Sequence, residues 1–124
     1  MNIPDKLFYT KDHEWINIIN GIATIGITQY AQSELGDIIF IEFPDIGTIC
    51  NAGDSIGTIE AVKTVSDIYS PISGRIKEIN KNLEDEPDSI NKDPYITGWI
   101  VKLDSLSNDN SILLSADEYE NLIQ

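Results

Sequence analysis

Two isoleucine-rich runs, Trp15 to Ile19 and Ile22 to Ile27, are separated by Asn20-Gly21. Both positions of a two-residue hairpin turn need positive φ, and Asn-Gly meets that demand well, so this segment reads as a β-hairpin. The pattern recurs along the chain. Isoleucine supplies 23 of the 124 residues, and β-branched side chains suit a pleated, half-buried surface. Asp37 to Phe43 reads as a strand stopped by Pro44-Asp45, and Asn51-Ala52-Gly53-Asp54 as a turn. Ile56 to Ala61, Val65 to Ser70, Gly74 to Asn80 and Trp99 to Leu103 read as further strands. Thr28 can cap a short helix running through Leu35, with Gly36 as its stop. Ser115-Ala116-Asp117-Glu118 reads as a capping box opening a helix to about Ile123. The polar stretch from Lys81 to Pro94, with Glu84, Asp85, Glu86 and Asp88, reads as a solvated loop and not as a metal site.

The expected architecture is mostly β: a flattened barrel or sandwich of two antiparallel sheets, with a short internal helix and a C-terminal helix. A chain of this length is expected to form one domain, residues 1–124. The formal charge of −13 disfavours nucleic acid and anionic membranes as partners, since both demand basic patches. It suits either solubility or steering toward basic docking surfaces. No apolar run approaches the length of a spanning helix, and the N-terminus has no basic-then-apolar signal pattern. Cys50 is the only cysteine, which excludes an internal disulfide framework and a thiolate metal cluster. These features predict a soluble protein of a reducing compartment.

Within this frame Lys63 stands out. It lies between the strands Ile56 to Ala61 and Val65 to Ser70, with Gly53 ten residues before it and Gly74 eleven after. A lysine at such an apex is presented to solvent, and no nucleophile–base pair nearby would use it as a catalytic amine. That combination suggests a lysine that carries a group. His13 reads as a strand-start histidine satisfied by a backbone carbonyl, Trp15 and Trp99 as core or near-core aromatics, and Cys50 as a small buried hydrophobe.

The chain resembles the H proteins of the glycine cleavage system, a lipoyl-carrying family related to biotinyl and lipoyl domains. The likeness rests on His13-Glu14-Trp15, Ile25-Gly26-Ile27-Thr28, Leu35-Gly36-Asp37-Ile38 and Pro44-Asp45-Ile46-Gly47. It continues through Lys63, Ser70-Pro71-Ile72-Ser73-Gly74, Asp93-Pro94-Tyr95 and Gly98-Trp99 to the segment from Leu114 to Tyr119. The family usually has Ser and Ala where this chain has Ala61 and Thr64. Val62 and Thr64 stand where biotinyl domains usually carry methionines, which favours lipoate over biotin.

The resemblance implies lipoate covalently attached to Lys63 as N6-lipoyl-lysine, on a carrier that catalyses nothing itself. It implies that a pyridoxal-phosphate glycine decarboxylase passes an aminomethyl group to the carrier. A folate-dependent aminomethyltransferase then removes it, and dihydrolipoyl dehydrogenase reoxidises the dithiol. A lipoate ligase or lipoyl transferase would attach the arm, with Glu60 as either a recognition element or a solvated strand charge. Glu14 and Asp67 are either groups that hold the docked arm or plain surface carboxylates. The implied location is the bacterial cytoplasm, or the mitochondrial matrix in a eukaryote. Two rival roles share the same lysine: a biotinyl carrier, and a relay that donates lipoate to other complexes.

Overall fold

The computed structural model describes residues 1–109 and 111–124. In chain order its elements are β1 (Phe8–Tyr9), β2 (Glu14–Ile19), β3 (Ile22–Ile27), α1 (Gln29–Leu35), β4 (Ile38–Glu42), β5 (Ile49–Cys50), β6 (Ser55–Ala61) and β7 (Val65–Tyr69). There follow β8 (Gly74–Ile79), α2 (Asn82–Asp85), α3 (Ser89–Lys92), β9 (Val101–Asp104) and α4 (Ala116–Ile123). The strands form two antiparallel sheets, one ordered β1-β2-β3-β9-β8-β5 and the other β4-β6-β7. The two-sheet expectation holds, and the sheets do not close into a barrel.

The β2–β3 hairpin forms as its turn residues dictate, with Asn20 at φ 51° and Gly21 at φ 77°. Its register sets Ile16 opposite Ile25 and Ile18 opposite Ala23. Alternation then sends Ile16, Ala23 and Ile25 inward, where they meet Ile41, Ile59, Ile68, Ile76 and Leu103 in the space shared by the sheets. Burial of these aliphatic side chains is the main force holding the layers together, at about 2 kcal/mol for each isoleucine or leucine.

A second, aromatic cluster sits at one side. Tyr9, Trp15, Ala116 and Tyr119 are buried together, and the rings of Tyr9 and Tyr119 stack at 4.8 Å. This is how α4 is docked. The capping box predicted at its start is present, with Glu118 N–H donating to Ser115 Oγ and Ser115 N–H to Glu118 Oε1. Trp99 lies just before β9, half-buried against the same cluster, with Lys102 Nζ 4.9 Å from its ring centroid.

The polar stretch 81–94 departs from the loop expectation. It contains α2 and α3, which bury Leu83 and Ile90 completely in the main core. Two isolated apolar residues in an acidic run show no helical periodicity, yet each anchors one turn of helix.

Candidate functional site

Lys63 is exposed at the tip between β6 and β7. The tip is closed by Ala61 N–H donating to Thr64 O at 2.8 Å, and it is tied to the body by Val62 N–H donating to Asp37 O at 3.0 Å. Beneath it, α1 is bounded as predicted: at its start Thr28 Oγ1 accepts from Ala31 N–H, and at its end Gly36 turns the chain at φ 79°. A Cβ at Gly36 would stand 3.3 Å from Lys63 Cε and 3.7 Å from Nζ. Glycine therefore satisfies the left-handed backbone and lets the lysine stem lie across it. Among the described residues Lys63 makes no ion pair.

Glu60 is exposed on the outer face of the three-stranded sheet, in one cross-strand row with Phe40 and Val65. Phe40, Val65 and Val62 are each more than half exposed, so the lysine tip rises from a surface with apolar and acidic character together.

A cavity of about 290 Å³ lies between α1 and the edge of this sheet, with Glu14, Ile27, Tyr30, Leu35, Ile59 and Asp67 among its walls. The structure thus brings Glu14 and Asp67 to one cleft; Glu60 is not part of it. Asp12, His13 and Glu34 also reach it, and sequence reasoning had not assigned them there. Glu34 had no local signal, because only the docking of α1 against the sheet turns it toward the cleft. The result is a pocket with aliphatic walls and four carboxylates, at Asp12, Glu14, Glu34 and Asp67.

Glu14 is not a surface carboxylate: it is 2% exposed. A tight turn places it there, with Thr10 N–H donating to Glu14 O at 3.0 Å and His13 N–H to Thr10 O at 3.1 Å. His13 occupies the left-handed region at φ 68° within that turn. Glu14 Oε1 accepts from the Thr10 hydroxyl at 2.6 Å, and Oε2 accepts from Tyr69 N–H at 3.3 Å. Burial pushes its pKa up to about 7 in spite of those two hydrogen bonds, and the Asp12 charge adds to the rise. Asp67 is exposed and receives the Tyr69 hydroxyl at 3.4 Å. Its charge is the leading cause of the upward shift of that phenol.

His13 is satisfied differently from expectation. Its Nδ1 meets the Tyr119 hydroxyl at 2.9 Å, not a backbone carbonyl. That hydroxyl also lies 2.7 Å from Thr28 Oγ1, so α4, the turn before β2 and the cap of α1 share one network. Burial is the dominant influence on the His13 pKa and lowers it, which favours a neutral ring. Cys50 is buried against Ser70 and Gly74, as a small hydrophobe should be.

The glycine cleavage H-protein family model matches residues 7–124. A glycine cleavage system H protein of Listeria monocytogenes serotype 4a is 50% identical over 124 residues, covering 99% of both chains. One from Staphylococcus epidermidis strain RP62A is 50% identical over 125 residues, covering 99% of this chain and 98% of its own. The crystal structure of a glycine cleavage system H protein from Mycobacterium marinum superposes with a TM-score of 0.87 at 40% identity, covering 96% of this chain and 97% of that one.

Proposed function

Since this chain belongs to the glycine cleavage H-protein family, we propose that Lys63 carries lipoate as an amide and that residues 1–124 form a single carrier domain. It is a carrier component of the glycine cleavage system and not a catalyst. The observation that carries the lysine assignment is its position: exposed at a hairpin tip, stem across Gly36, next to a cleft with both apolar and acidic walls.

The residues suit the group. The neutral ε-amine of Lys63 attacks the carbonyl of an activated lipoyl donor, an amide forms, the activating group leaves, and the amine loses a proton. Glu60, on the outer face near the tip, is the side chain we assign to recognition by the lipoate ligase or lipoyl transferase. An attached arm would supply disulfide–dithiol chemistry: a sulfur to take up the aminomethyl group exchanged between glycine decarboxylase and the aminomethyltransferase, and a dithiol for dihydrolipoyl dehydrogenase to oxidise. Ile27, Leu35 and Ile59 offer an apolar wall to a hydrocarbon stem. Glu14 and Asp67 offer carboxylates to a cationic amine, which a charge-assisted hydrogen bond would hold. A cation beside Glu14 favours its ionised form and so opposes the upward push of burial.

No helix among the described residues is long and apolar enough to cross a membrane. The bacterial relatives favour a cytoplasmic setting. The deciding experiment is intact mass after treatment with a lipoate ligase, lipoate and ATP. One lipoyl addition is expected on the native chain and none on Lys63→Arg. Addition to the arginine variant, or none to the native chain, removes the assignment.

A further inference from the structure

The segment read from sequence as a loop supports the lysine tip through a single amide. Asn91, in α3, donates from Nδ2 to Gly36 O at 2.8 Å and to Gln32 Oε1 at 3.0 Å. Its Oδ1 accepts from Ile38 N–H at 3.0 Å. The amide has one orientation that fits, because a flip would set N–H against N–H and oxygen against oxygen. These bonds grip the chain on both sides of Asp37, whose carbonyl holds Val62 N–H, the amide just before Lys63. Gly36, gripped directly, is the residue the lysine stem crosses.

The grip is anchored from behind. Ile90 is completely buried. A Cβ at Gly98 would stand 2.9 Å from Ile90 Cα and 2.6 Å from Asp93 O, so only glycine lets that strand-entry backbone close against α3. Asn91 therefore links a fixed part of the core to the floor of the tip, and its hydrogen bonds go to Gln32, Gly36 and Ile38.

We propose that Asn91 is a positioning residue for acylation of Lys63: it fixes Gly36 and Ile38, and through them the height and direction at which the ε-amine meets the modifying enzyme. The proposal rests on Lys63 as the lipoyl attachment site. Without the clamp, residues 36–38 gain freedom, the Asp37–Val62 bond weakens, and the lysine samples positions from which it cannot react.

The test measures lipoylation of the native chain, Asn91→Ala and Asn91→Asp by a lipoate ligase with lipoate and ATP, alongside amide exchange at Ile38 and Val62. Both variants should lose kcat at saturating carrier by about five- to tenfold, the scale of one or two hydrogen bonds. Exchange at Val62 should quicken in both variants. Asn91→Asp keeps the acceptor for Ile38 N–H and the side-chain volume but sets a carboxylate oxygen against Gly36 O, while Asn91→Ala only leaves the three partners unpaired, so the alanine chain should fold even if the aspartate variant does not. A partly unfolded population would raise the apparent KM and leave kcat unchanged. Either variant, folded and with native kcat, or with lowered kcat but native exchange at Val62, overturns the proposal. Failure of the native chain to be acylated at Lys63 would instead sink the attachment-site reading on which it rests.

Discussion

The Thr10 hydroxyl and the Glu14 carboxylate face each other at 2.6 Å, and both residues are almost wholly buried, at 3% and 2% exposure. One hydroxyl and one backbone amide do not replace the water that an ionised carboxylate loses on burial, so Glu14 titrates near pH 7 and not near its ordinary 4.5.

This gives a pH dependence of defined sign. An acid that binds its proton more tightly when folded contributes stability that is full below about 4.5 and declines as pH rises toward 7. The loss should be at most about 3 kcal/mol, levelling off above pH 7. Urea denaturation from pH 4 to 8 should show the decline in the native chain and a flatter profile in Glu14→Gln. An equal decline in both would show that other groups cause it.

With an amine in the cleft, the same carboxylate acts in the opposite direction. Glu14→Gln and Asp67→Asn should each shorten the lifetime of the aminomethyl-loaded carrier, followed as release of formaldehyde. The effect should be larger for Glu14, whose charge is shielded from solvent and so weakly screened. Lifetimes equal to the native value in both variants would remove these residues from arm docking.

A chain at −13 is expected to meet its partner enzymes partly through its field. Transfer coupled to glycine decarboxylase should slow as salt rises, through a lower association rate, because exposed charges are screened over about 8 Å at physiological ionic strength. Stopped-flow association rates that do not change between low and high salt would remove the steering claim.

Trp15 and Gly26 are cross-strand partners, and a Cβ at Gly26 would stand 2.6 Å from the indole Nε1. The indole cannot easily withdraw, since it is buried and donates to Pro94 O at 3.0 Å. Gly26→Ala should therefore cost about 2 to 3 kcal/mol of folding stability, measured by denaturant titration. A cost below 0.5 kcal/mol would mean that the ring has room to move.

Tyr119→Phe keeps the stacked ring and removes the hydroxyl between His13 and Thr28. The expected cost is about 1 to 2 kcal/mol, and it should appear as a lower denaturation midpoint with an unchanged slope. A neutral result would show that His13 and Thr28 find other partners.

The parts of this molecule that sequence reveals are those set by neighbours in the chain. Asn20-Gly21, the Thr28 and Ser115 caps and the alternation of isoleucines each act within a few residues, and each predicts its element to within about two positions. The Lys63 tip is legible for the same reason. What is hidden depends on distant contacts. Leu83 and Ile90 nucleate α2 and α3 only because the core receives them. Asn91 looks like any loop asparagine until α1 is placed beside it. The partner of His13 lies 106 residues away, and the cleft exists only where α1 meets the second sheet.

The outermost strands of the larger sheet, β1 and β5, are two residues long each. In the smaller sheet, β4 is broken by a bulge between Ile38 and Phe40, and β7 carries the charged Asp67. A rim this short, kinked or charged gives an incoming chain too few aligned amides to template further pairing. Exposed Phe8, Phe40 and Ile49 thus lie on strands whose edges offer little for another chain to pair with, in a sequence otherwise rich in β-branched residues.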